Sequence, residues 1–292
     1  MLEQQSFIAQ TDPPLSAKQT LPTMYDLPSE DPEEPGLPDE FHSLQPQLLS
    51  RTLRLPSYPP SRLFVGSDLN LYYDVHHTLW HKRPDWFLVL DVPRLYEETD
   101  LRSSYVVWQE GVNPFLVVEL LSPGTEKEDL GEWGAVGDNP ATTAAEPTGS
   151  NGQSNPETPP GKWDVYERIL RVPYYVVFSR YSNRMRGFKL DGGRYREQPI
   201  NPENPQFWIP EIKLGLGVWS GEYEGINRSW LRWYDAQGNW VPTDVELALA
   251  EAERATAEAE QERQKRSQLA SKLKSLSPEQ LAALGISLEE LE

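Results

Sequence analysis

The chain has 292 residues, enough for one well-buried domain with appendages, and a net charge of −18 at pH 7. It has no cysteine, which excludes disulfides and thiolate metal sites and points to a reducing cytoplasm. The acidic balance disfavours a broad basic surface, no apolar run approaches the roughly 18 residues of a membrane span, and the first residues carry no secretory leader.

Residues 1–39 are rich in Pro, Asp and Glu, as in PSEDPEEPGLPDE, which predicts an extended acidic arm. Residues 40–54, EFHSLQPQLLSRTLR, place apolar side chains near helical spacing, with Pro46 inside the run. From Arg62 to Val92 the pattern turns to strands: LFVGSD, LNLYYDV and DWFLVLDV. PFLVVELL, residues 114–121, reads as a buried strand with Glu119 inside it. A carboxylate in that setting must neutralise or find a cation.

SPGTEKEDLG follows as a polar loop, and residues 131–161 are low-complexity, predicting a surface insertion that loops out at small entropic cost. KWDVYERILRV has Trp163, Tyr166 and Leu170 at helical spacing, and Pro173 stops it. YYVVF then supplies a second buried strand, so strand, helix and strand predict a βαβ unit. GFKLDGGRYRE predicts a hairpin about Asp191-Gly192-Gly193. Trp208, Trp219, Trp230, Trp233 and Trp240 read better as core and edge packing than as a stacking platform for bases.

Stepping by three and four from Val245 gives Ala248, Ala252, Ala255, Ala259, Glu262, Arg266, Leu269, Leu273 and Leu276. That seam, interrupted by Glu262 and Arg266, predicts a long helix, paired as a coiled coil or, because Ala buries little, solvated alone. Ser277-Pro278-Glu279-Gln280 opens a last short helix. The predicted organisation is an arm over 1–39, a domain over 40–242 with its insertion at 131–161, and a helical tail over 243–292.

Asp85 follows Pro84 and opens an apolar strand. An Asp at the head of one strand and a Glu within its neighbour can converge on a hard divalent cation, Mg²⁺ or Mn²⁺. Lys162 heads the next helix, four residues before Tyr166 and on the same face. Its ammonium is suited to orienting water or offsetting charge on a phosphate. In RYSNRMRGFKLDGGRYR, residues 180–196, basic side chains outnumber the single Asp191. Arg184, Arg186, Lys189, Arg194 and Arg196 are therefore candidate contacts to nucleic-acid phosphates. His76, His77 and His81, without cysteine, do not have a zinc-site spacing. Glu40, His42, Asp68 and Asp74 are candidates for supporting groups around a metal, unranked among themselves.

The order RPDWFLVLDVPR, PFLVVELLSPGTEKEDLG, KWDVYERILRVPYYVVF and GFKLDGGRYRE resembles the Uma-type restriction endonuclease family of the PD-(D/E)XK nuclease superfamily. The likeness spans residues 40–240. It implies an α/β, restriction-endonuclease-like mixed β-sheet flanked by helices, and Mg²⁺-dependent hydrolysis of DNA phosphodiesters. It also implies Asp85 and Glu119 as metal ligands, the Leu120 carbonyl as a third, and Lys162 as the catalytic lysine. Two features depart from the family's pattern. Leu121 stands where the superfamily usually has a lysine, and the 131–161 insertion separates DLG from the lysine helix. The expectation is a cytoplasmic, metal-dependent endonuclease acting on DNA, a homodimer through its tail, with no membrane association. The alternative is a non-catalytic interaction protein that keeps the fold and works through its coiled coil and acidic arms.

Overall fold

Alternating and continuous apolar runs become the strands of a mixed α/β structure, seen in a computed structural model that describes residues 11–14, 39–122, 129–131 and 158–277. Most of the predicted arm, the insertion between 132 and 157 and the helix predicted after Ser277 lie outside the described residues. In chain order the elements are α1 (Glu40–Thr52), β1 (Leu63–Gly66), β2 (Leu71–Tyr72), β3 (His81–Lys82), β4 (Trp86–Leu90), β5 (Tyr105–Val106), α2 (Val107–Glu110) and β6 (Leu116–Leu121). There follow α3 (Lys162–Asp164), which runs on as a π-helical turn (Val165–Ile169), then β7 (Tyr174–Ser179), β8 (Arg184–Asp191) and β9 (Arg194–Glu197). β10 (Gln206–Ile209), β11 (Leu214–Tyr223), β12 (Ile226–Tyr234) and α4 (Asp244–Lys274) complete the order. The chain divides into two units, Met1–Val241 and Pro242–Glu292.

The principal sheet has strand order β1-β4-β6-β7-β8-β9. Its one parallel pair is β6–β7, with Leu116 opposite Tyr174, and α3 lies in the crossover, so the predicted βαβ unit forms. The β8–β9 hairpin turns through Gly192 and Gly193, both at positive φ, as a two-residue turn of this hand requires. Trp86, Leu88, Leu116, Val118, Tyr174 and Val176 project to one face, into a core shared with α1 and the β10-β11-β12 sheet. Phe87, Val89, Val117, Leu121, Tyr175 and Val177 project to the other, against Val165 and Tyr166. The period of two puts Asp85 and Glu119 on this second face.

α1 forms where helical spacing predicts it, while β2 and the lysine helix differ from the sequence expectation. α1 continues through Pro46, although an interior proline costs about 3 kcal/mol. Leu48 and Leu49 are fully buried, each stabilising by about 1.5–3 kcal/mol, and the Gln45 amide bonds the Leu231 backbone in both directions at 2.8 Å. β2 is only two residues long because Asp74 accepts from the His76 backbone N–H at 2.8 Å, turning the chain out of the sheet. The lysine helix widens into a π turn, with Leu170 N–H donating to Val165 O at 2.8 Å. Three consecutive residues there, Val165, Tyr166 and Glu167, are buried, more than one face of a regular helix presents.

Trp230 and Trp233 lie in the core, as the packing reading expects. α4 opens with a capping box between Thr243 and Glu246. Val245, Leu249 and Leu269 stay exposed on it. Among the described residues, no helix is long and apolar enough to cross a membrane.

Candidate active site

β4 runs antiparallel to β6 with Trp86 opposite Val118, so Asp85, one residue earlier, meets Glu119. The Leu120 N–H donates to Asp85 Oδ2 at 2.6 Å and the Asp85 N–H donates to Glu119 Oε2 at 3.3 Å. These two backbone-mediated bonds hold the carboxyl groups side by side. Glu119 is wholly buried. Burial first, and then the Asp85 charge, push Glu119 up to about 7, against the pull of Lys162 and Tyr166. Burial likewise raises Asp85, despite Lys162 and His42. Near neutrality the pair therefore retains a proton.

The cation that Glu119 finds is Lys162. Its Nζ lies 3.1 Å from Glu119 Oε2 and 2.8 Å from Asp129 Oδ1. Burial favours the neutral amine, but Glu119, Asp129 and Asp85 together hold the ammonium's pKa well above its ordinary value. One turn on, the Tyr166 hydroxyl donates to Glu119 Oε1 at 2.8 Å. Both carboxylate oxygens are thus fixed from a single helix face. The Leu121 side chain packs into the second core, so the ammonium reaches the acid from α3 and not from β6.

The docking of α3 depends on DLG, on the far side of the insertion. Asp129 pairs with Lys162, its carbonyl accepts from the Tyr175 hydroxyl at 2.8 Å, and Leu130 enters the second core. Gly131 sits at φ +53°, where a Cβ would come within 3.2 Å of Trp163 Cγ. Trp163 is held edge-on by Tyr175, Phe188 and Tyr195. Asp129 and Tyr166 are site residues that sequence reasoning did not name as such. The signals were present in the acid of DLG and in the four-residue step from Lys162.

On the opposite side, His42 Nε2 lies 3.1 Å from the Leu120 carbonyl oxygen and its Nδ1 lies 2.8 Å from Asp39 Oδ1. Burial disfavours the imidazolium, but the bond to Asp39, the charge of Asp85 and the Leu120 carbonyl raise His42 to about 9. Asp39, raised by burial and lowered more by His42 and Arg180, settles at about 2. Of the four unranked polar residues, only His42 reaches the site. Glu40 is exposed, Asp68 pairs with Arg83, and Asp74 pairs with His77. His77 stacks on Trp80 at 3.8 Å, while His81 bonds the Leu79 carbonyl.

The basic strands β8 and β9 lie apart from this centre by sheet order, and their cations face acids. Arg186 forks onto Glu197 at 2.8 Å through Nε and Nη2, Lys189 pairs with Glu211, Arg194 with Glu167 and Arg196 with Asp191. Arg184 is exposed at the start of β8.

Among the described residues, no three His, Cys, Asp or Glu side chains form a metal-holding group. The donors present are two carboxylates and one backbone carbonyl, the number Mg²⁺ takes from protein when water and substrate phosphate supply the rest. The raised carboxyl pair is a charge excess that a divalent ion relieves, so the donor set fits such an ion.

These features define a mixed-sheet α/β protein with a buried acid–lysine centre where β4 meets β6. The chain belongs to the Uma2 family, whose model, described as "putative restriction endonuclease", matches residues 18–220. The matched span holds Asp85, Glu119, Asp129 and Lys162 and ends within β11. Comparison with curated proteins found no match.

Proposed function

We propose that the chain is a metal-dependent endonuclease that hydrolyses phosphodiester bonds in DNA. The observation that carries this reading is the junction of Asp85 and Glu119 on one sheet face, with Lys162 against Glu119. Asp85, Glu119 and the Leu120 carbonyl are the residues that would hold Mg²⁺ or Mn²⁺. When bound, such an ion supplies Lewis-acid polarisation of the phosphate and a water of lowered pKa.

The protein's own groups do the rest. Lys162 holds a compact positive charge beside the reacting phosphate and orients the attacking water. Tyr166 and Asp129 fix Glu119 and Lys162, so neither side chain has to reorganise during the reaction. The basic residues of β8 and β9 (Arg184, Arg186, Lys189, Arg194, Arg196) supply secondary phosphate contacts, weakened by their acidic partners. Self-association through α4 makes the working species a weak homodimer.

The test is cleavage of duplex, single-stranded and branched DNA by the full chain with Mg²⁺ or Mn²⁺, beside Glu119→Gln. Metal-dependent cleavage lost in that variant supports the reading. No cleavage of any substrate with either metal overturns it and leaves the interaction-protein alternative.

A further inference from the structure

Next to the acidic centre lies a cluster of opposite sign. Asp39, the N-cap residue of α1, accepts from His42 and pairs with Arg180 Nη2 at 2.7 Å. Arg180 directly follows β7, and its Nη2 also donates to the Tyr181 hydroxyl at 3.1 Å. Arg228 of β12 donates through Nη2 to the Arg180 carbonyl oxygen at 3.1 Å. Its guanidinium lies over the Phe41 ring at 4.4 Å and beside Trp230 at 5.5 Å.

Arg180 pairs with Asp39 and Arg228 bonds to Arg180, so two guanidiniums gather about one carboxylate. Both arginines are half-buried, and the Nε of each is buried and donates to nothing among the described residues. Burial and the neighbouring Arg180 charge depress Arg228 below its ordinary pKa, as expected for cations gathered without a matching anion. Across the His42–Leu120 contact the balance reverses, with Asp85, Glu119 and Asp129 around one Lys162. One side is short of positive charge and the other of negative charge.

We propose that Arg180 and Arg228 form a phosphate-binding subsite that holds a backbone phosphate of the nucleic-acid strand next to the one engaged at Asp85–Glu119. Planar guanidinium forks match tetrahedral oxyanions, and aromatic faces hold both forks in place. Neither arginine is among the hairpin cations already paired with acids. Arg228 also lies beyond the residues matched by the family model, so the subsite joins that region to β12. That the anion is a DNA phosphate rests on the nuclease reading; the anion site itself does not.

Inorganic phosphate is titrated into the full chain without metal, against chloride at matched ionic strength, by calorimetry and thermal shift. Wild type is expected to bind at millimolar concentration. Arg180→Gln and Arg228→Gln should weaken binding about tenfold, with Arg228→Lys intermediate because a point charge replaces the fork. In a second arm, duplex DNA is titrated into Glu119→Gln with and without Arg228→Gln. Added Arg228→Gln should weaken binding about tenfold and reduce the salt slope by about one, and Arg228→Gln by itself should bind Mn²⁺ as wild type does. Should Arg228→Gln not fold, Arg180→Gln and Arg228→Lys carry both arms. Phosphate binding no stronger than chloride, or variants that bind phosphate as wild type does, overturns the subsite. Arginine-dependent phosphate binding in a protein that cleaves no DNA keeps the subsite and removes the nuclease reading.

Discussion

His42 Nε2 lies 3.1 Å from the Leu120 carbonyl oxygen, so an imidazolium engages the backbone acceptor that the family resemblance assigns to a metal. Metal binding at Asp85, Glu119 and Leu120 must therefore displace protons from both sides. Glu119, at about 7, loses one first, and His42, at about 9, loses its own next. Mn²⁺ affinity should rise from about pH 6 to about pH 9 with proton release, read by calorimetry in buffers of different ionisation enthalpy. His42→Gln should bind more tightly at neutral pH and show a flatter dependence above it. An unchanged profile in that variant would place the metal away from Leu120.

Stability of the metal-free protein should move the other way with pH. Glu119 is raised above its ordinary 4.5, so its contribution is full below that value and lost as pH rises to about 7. His42 is raised above 6.5, so its contribution persists below that pH and is lost as pH rises through about 9. Asp39 is depressed to about 2 and contributes constant stability across this range. Thermal midpoints should fall between about pH 4.5 and about pH 9, and His42→Gln should remove the part of the decline above about pH 6.5. A midpoint rising with pH would contradict both assignments.

Lys162 carries structure as well as the chemistry proposed for it. Replacing it by Met leaves Glu119 and Asp129 buried without their cation, a loss of about 3–5 kcal/mol when one partner of a buried pair is removed. Urea unfolding should show that loss, reduced at low pH where Glu119 takes up a proton. Cleavage should disappear, and Lys162→Arg should restore stability better than activity, because a planar fork cannot place charge where an ammonium does. Full activity in Lys162→Met would keep the nuclease and discard this lysine's role.

Replacing residues 132–157 by a short Gly/Ser linker should leave a single cooperative unfolding transition. The contacts that dock α3 belong to Asp129, Leu130 and Gly131, before the replaced stretch. Loss of cooperativity in thermal unfolding would show that the insertion supports the fold.

Truncation after Pro242 should yield a smaller species by sedimentation than the full chain. The exposed 3–4 seam of α4 motivates this, and its alanine-rich first half predicts weak, concentration-dependent pairing. Identical association states of the two forms would remove the tail from any self-association.

Local pattern was sufficient for β4, β6 and β7, for the crossover and for the acid pair. Period-two alternation is a property of the chain itself, so Asp85 and Glu119 share a face wherever β4 pairs with β6 in this register. The four-residue step from Lys162 to Tyr166 survives the π turn for the same reason: both reach Glu119 from one helical turn. The Asp191-Gly192-Gly193 hairpin is likewise local, set by two residues that tolerate positive φ.

What tertiary structure decided is which charges meet. Along the chain, Arg186, Lys189, Arg194 and Arg196 resemble an uncompensated basic strip, yet each faces a carboxylate, and for Lys189 and Arg194 that carboxylate comes from outside the hairpin. Arg180 and Arg228, distant in sequence, come together beside Asp39. Asp129 and Lys162 flank a long insertion and close to 2.8 Å. Burial of Lys162 between Glu119 and Asp129 ties its charge to the integrity of the fold. Hydrophobic periodicity repeats over a few residues and can be read locally, but Coulomb energy depends on distance and burial, which exist only once the sheet has assembled.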